Sequence, residues 1–151
     1  MTADTFRKYA SLKNLTFVLA LIQLVWLVWF FYTGMGGGQE LVAHVLPIAL
    51  SLQILFMYQG EYLYKRLPPV LNHLLVALYL GICAYSFVYF YIHFERIAIY
   101  AQGSFTQGDF ILGLLMFLLV MELSRIAHGV LFWTNVVLVV YTLWGLSLIH
   151  I

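Results

Sequence analysis

The groups with which chemistry could begin in this 151-residue chain are two short charged clusters and five histidines. Glu122 and Arg125 lie three residues apart at the end of an apolar run, a spacing that puts both on one helical face. Ionisable groups beside apolar runs are expensive and are usually paired or functional. Two roles are open to the pair. It either ends its helix at the surface, or it is buried against other helices and fixes the turn through Gly129 into the last apolar run. The second is the pair Thr106 and Asp109 in the surface loop just ahead of the apolar run FILGLLMFLLVM. Thr106 and Asp109 have the three-residue spacing of a capping box, in which a hydroxyl and a carboxylate satisfy backbone N–H groups that a first helical turn leaves open. A helix is expected to start near Gln107.

The histidines are tested against haem ligation, which needs two imidazoles facing each other from adjacent helices. His44 and His93 fall toward one end of their apolar runs, and His73 and His128 toward the other. Scattered histidines at helix ends would offer such pairs in any case, so hydrogen-bonding or interfacial histidine is the default expectation. Asn72 and Asn135 are read as bonding neighbouring helices. The chain holds no P-loop, GxSxG, HExxH or CxxC pattern. No catalytic residue, metal ligand or cofactor is expected, and no cluster of catalytic groups shares one depth.

The elements that must position these groups follow from composition. Hydrophobic residues make up 64% of the chain and charged residues 9%, against about 45–50% and about 25% in an average soluble domain. This is the composition of an integral membrane protein. A net charge of +1 gives no basic face for nucleic acid. Cys83, alone, cannot form an intramolecular disulfide and reads as a small core residue.

Five apolar runs can be marked, 15–32, 41–58, 70–94, 110–121 and 130–149. The first reaches about 27 Å, nearly the thickness of a bilayer's hydrocarbon core, and it ends in Trp26, Trp29, Phe30, Phe31 and Tyr32, an aromatic belt and not a cleavage site. The glycines from Gly34 to Gly38 form a tight connection. Pro47 is expected to bend the second run. Pro68 and Pro69 mark a boundary before the third, whose tyrosines are read as interfacial anchors. The fourth is short for a span. The expected fold is an all-α integral membrane protein, one helical transmembrane domain of four to five crossings with short loops. The absence of a polar tail after His150 and Ile151 is what the front part of a longer polypeptide would show.

Lysine and arginine placement sets an expected orientation. With a cytoplasmic N-terminus, Arg7, Lys8, Lys13, Lys65, Arg66 and Arg125 face inward and Arg96 alone lies outside, a positive-inside bias.

The stretch from Phe94 to Gly145 also resembles the N-terminal membrane region of fused permeases of tripartite ATP-independent periplasmic (TRAP) transporters associated with TAXI-type binding proteins. The similar positions are Phe94, Glu95 and Arg96, then Thr106, Asp109 and Gly113, then Glu122, Arg125 and Gly129, and finally Tyr141 to Gly145. The family usually follows its glutamate with two consecutive basic residues, whereas MELSRIAHG has Ile126 at the second. The tryptophan and paired-glutamate signature of the separate small subunits of sialic-acid-type members is absent. The resemblance covers about a third of the chain. It implies a non-enzymatic scaffold component in a bacterial or archaeal inner membrane, bracing a large permease that takes up organic acids delivered by a periplasmic binding protein. Its implied contacts are that permease, the TAXI-type protein and membrane lipid. The competing expectation is a haem- or quinone-associated membrane anchor of a respiratory complex.

Overall fold

The computed structural model describes residues 3–33, 37–60, 63–64, 66–100 and 105–149. The Gly34 to Gly36 part of the first connection, Lys65, Gly103, His150 and Ile151 lie outside the described residues. So do the side chains of Arg7 and Lys8, within the first helix. Among the described residues there are five α-helices and no strand: α1 (Ala3–Thr33), α2 (Gly38–Gly60), α3 (Pro69–Glu95), α4 (Gln107–Ala127) and α5 (Gly129–Ile149). A π-helical turn, Arg96–Tyr100, extends α3.

Four of these helices are long and apolar enough to cross a membrane, over Lys13–Thr33, Glu40–Gln59, Pro69–Ala98 and Gln107–Ala127. The chain is an all-α membrane protein. The fourth run, 12 apolar residues in the sequence, becomes spanning because α4 continues for 21 residues through polar ends, about 31 Å at 1.5 Å per residue. Helix α5 also runs for 21 residues, and its apolar part with described side chains is Gly129–Thr142.

The chain divides into two compact units, Met1–Met116 and Phe117–Ile151. In the first, α2 packs against both α1 and α3. The buried residues Leu50, Ile54 and Leu55 of α2 and Val76 and Cys83 of α3 form its core. Helix α2 continues through Pro47, which is buried, and the Ser51 hydroxyl donates to the Pro47 carbonyl at 2.8 Å. Pro68 and Pro69 do start α3. Pro68 is extended at φ −61°, ψ 150°, and Pro69 stands at the first helical position, where a missing N–H is harmless.

Asn72 fixes the approach to α3. Fully buried, it accepts from the Tyr64 amide at 2.9 Å and donates to the carbonyls of Tyr64 at 2.8 Å and Leu67 at 3.2 Å. Its amide therefore bonds the loop that precedes its own helix, not a neighbouring helix as its place in an apolar run had suggested. The Tyr64 and Tyr79 hydroxyls meet at 3.1 Å on the same side.

In the second unit the chain bends sharply between α4 and α5. The His128 amide donates to Ser124 and the Phe132 amide to His128, so helical bonding runs up to and away from one intervening residue. Asn135 donates to the Ser124 hydroxyl at 3.4 Å. Eleven residues of straight helix would separate them by about 16 Å, and only a turn at His128 and Gly129 brings them together.

Candidate functional site

The densest polar constellation lies where α3 passes through its π-helical turn and the chain returns as α4, and it is built on Asp109. Thr106 precedes α4 and its Oγ accepts from the Asp109 amide at 3.3 Å, while Asp109 Oδ2 accepts from the Thr106 amide at 2.8 Å. This is the reciprocal capping box, closed further by the Thr106 hydroxyl donating to Oδ2 at 2.7 Å. From the end of α3, Arg96 donates to both carboxylate oxygens, Nη1 to Oδ2 at 3.0 Å and Nη2 to Oδ1 at 2.7 Å. Two turns earlier, the Tyr89 hydroxyl donates to Oδ1 at 2.6 Å and accepts from Arg96 Nη2 at 3.3 Å.

The carboxylate thus receives five hydrogen bonds from three residues. An ionised carboxylate offers about four lone-pair sites, so none is left for a substrate, a metal ion or a transferred proton. The Asp109 side chain is 4% exposed and that of Arg96 35%, and the bidentate geometry is the strong form of this ion pair. Asp109 also stands in the first turn of α4, where the helix dipole favours negative charge. Its chemistry is that of a clasp joining the outgoing helix to the returning one.

No protein-family model, curated protein or solved structure matches the chain significantly. The geometry stands as the basis for any assignment.

Of the residues singled out in the sequence, Arg96, Thr106 and Asp109 come together in the clasp. Glu95 ends α3 on an exposed position and takes no part in it. Tyr89 was missed as a member, having been read with the other tyrosines as an interfacial anchor. Its signal was the spacing of seven from Arg96, which puts both on one face when the chain stays helical. His93 adds a support: its ring stacks on Tyr89 with centroids 4.5 Å apart and planes 25° apart, and its Nδ1 meets the Tyr89 carbonyl at 3.2 Å. A side chain at Gly108 would come within ordinary contact distance of the Tyr89 hydroxyl, 3.7 Å.

Glu122 and Arg125 do pair, with Arg125 Nε donating to Oε2 at 2.7 Å and Nη2 to Oε1 at 2.6 Å. Their side chains remain 27% and 50% exposed. Of the two roles open to the pair, the described residues show the bidentate contact along its own helix. Three-residue spacing in the last turn of α4 lets the two groups meet along their own helix without help from another element.

The histidines are dispersed. His44 faces Trp26 of α1 and Phe87, Tyr91 and Phe94 of α3, whereas His93 stacks on Tyr89. His73 bonds the Pro69 carbonyl and packs edge-on against Tyr58. His128 stands exposed at the bend. Among the described residues no group of three or more His, Cys, Asp or Glu side chains could hold a metal ion.

Proposed function

We propose that this chain is the small membrane scaffold component of a TRAP secondary transporter for organic acids, or the equivalent N-terminal membrane region of a fused permease, and that it braces the large permease. The observation that carries this reading is the saturated Asp109 carboxylate. Arg96, Thr106 and Asp109 belong to the segment that resembles the family, and their polar capacity is spent on joining two helices. A brace needs such a fixed joint; a transport site needs polar groups with bonds to give. The surface supports the same reading. None of the α1 span is buried within the chain, and Phe17, Val25, Val28, Trp29 and Phe31 are each more than 60% exposed, an apolar face suited to lipid or to a larger membrane partner.

The test is co-expression of this chain with a TRAP permease and a TAXI-type periplasmic binding protein from the same source. Deleting this chain should abolish recovery of the permease as a detergent-stable complex and abolish organic-acid uptake. Substituting its polar residues one at a time should leave the choice of transported acid unchanged. A single substitution here that switched the acid would defeat the assignment, as would a permease that assembled and transported normally without this chain.

A further inference from the structure

One end of the α1–α3 bundle carries positive charge that neither the clasp nor the scaffold role uses. The apolar span of α1 begins at Lys13, that of α2 ends at Gln59 and that of α3 begins at Pro69, and side chains tie these three ends together. The Gln59 amide donates to the Thr16 hydroxyl, joining α1 to α2. The Tyr58 and His73 rings meet edge-on with centroids 5.7 Å apart, joining α2 to α3. Asn72, next to His73, donates to the Leu67 carbonyl at 3.2 Å and so holds the backbone beside Arg66. Lys13 stands one turn before Thr16 on the same face of α1, and both Lys13 and Arg66 are exposed. Every charged side chain described at this end is basic, whereas Glu40 and Glu95 stand at the other. In sequence, segments 1–14 and 59–69 hold Arg7, Lys8, Lys13, Lys65 and Arg66 against Asp4 and Glu61. The remaining two cations differ: Arg96 is paired with Asp109 and Arg125 with Glu122, while among the described residues Lys13 and Arg66 form no such pair.

We propose that this end of the bundle is a binding surface for anionic phospholipid, with Lys13 and Arg66 attracting the headgroup and the apolar side chains just inside them receiving the acyl chains. Charge complementarity selects the occupant. Cations next to a membrane surface draw anionic lipid, and these two have no carboxylate of the chain to answer them. Depth selects a lipid over a soluble anion. Lys13 opens the α1 span and Arg66 lies three residues before the α3 span, so both stand where hydrocarbon gives way to headgroups. The neighbouring Phe17, Phe56, Val70 and Leu74 are each more than 60% exposed, so the occupant has to present negative charge joined to apolar chains. The ties through Thr16, Gln59, Tyr58 and Asn72 hold the ends in place before lipid arrives, which lowers the ordering cost of binding. The site is independent of the transporter assignment.

The experiment titrates the full chain in detergent with phosphatidylglycerol and, separately, with phosphatidylcholine of the same acyl chains, and follows bound lipid by native mass spectrometry. Phosphatidylglycerol should bind more tightly. That preference is expected to fall about fivefold in Lys13→Gln and about fivefold in Arg66→Gln, and to be nearly abolished in the double variant. Lys13→Arg and Arg66→Lys should keep it, because charge and not side-chain shape attracts the headgroup. Arg125→Gln removes a cation already paired within the chain and should leave it unchanged. Glycerol 3-phosphate, which carries the same charged group without the chains, should not displace the lipid. A parent chain that binds both lipids equally would overturn the proposal, as would a preference that survives in the double variant or falls as far in Arg125→Gln. Displacement by glycerol 3-phosphate would overturn it in favour of a soluble phosphate ligand.

Discussion

At the scale of single residues, two ion pairs in this chain look alike in sequence and differ in weight. Arg96 and Asp109 come from different helical elements, and the carboxylate is covered and saturated. Arg125 and Glu122 share one turn, and the arginine side chain is half exposed. Exposed pairs contribute about 0–1 kcal/mol. Glu122→Gln and Arg125→Gln are therefore expected to change stability by no more than that, and the double variant should be close to additive. Asp109→Asn should be more damaging than either, because an amide nitrogen replaces an oxygen that accepts from Arg96 or Thr106, setting donor against donor. Thermal melting of the four variants in one lipid system checks the order. Equal losses for Asp109→Asn and Glu122→Gln would show that the clasp is no stronger than a surface pair.

At the scale of elements, the starts of α3 and α4 are held by side chains doing the work of backbone. Thr106 caps α4, and loss of such a cap costs about 1 kcal/mol. Thr106→Val should cost about that much and raise amide exchange first in the opening turn of α4, at Asp109 and Phe110; exchange that rose uniformly along the helix would argue against local capping. Asn72 is the heavier case. Asn72→Leu would strand the Tyr64 amide and free the carbonyls of Tyr64 and Leu67, and each buried group left unpaired costs about 1–3 kcal/mol. Arg66 is exposed beside this joint. Trypsin should cut after Arg66 faster in Asn72→Leu than in the parent chain, and an unchanged cleavage rate would contradict the clamp.

At the scale of the whole molecule, orientation is set by charge outside the spans. We propose that the N-terminus and the Arg66 loop are cytoplasmic and that the clasp faces the other side, since Arg96 is the one cation that the positive-inside pattern leaves outside. In a Cys83→Ser background, single cysteines at Gly37 and Phe105 should react with a membrane-impermeant thiol reagent in intact cells, and one at Arg66 should not. Labelling at Arg66 from outside would reverse the orientation. Cys83 itself is 1% exposed, so its replacement removes background without opening a reactive site.

The sequence by itself determined the class of this protein, because composition and run length respond to the solvent and need no partner. Long apolar runs separated by glycine, proline and charge can be satisfied only as helices in a membrane. It also determined the start of α4, since the bonds of a capping box close within four residues. Tertiary structure decided the rest. Tyr89 and Arg96 reach Asp109 across 20 and 13 residues, and sequence spacing says nothing about a contact that depends on how the chain returns. Asn72 looked like a bond between helices and became a clamp on its own loop, because an amide is satisfied equally well by either and geometry alone selects. Glu122 and Arg125 were legible as a pair from their spacing, but their exposure was not, since burial depends on which faces the other helices cover. For the same reason His44 read as one scattered histidine among five, until the packing of three helices closed four aromatic rings around it.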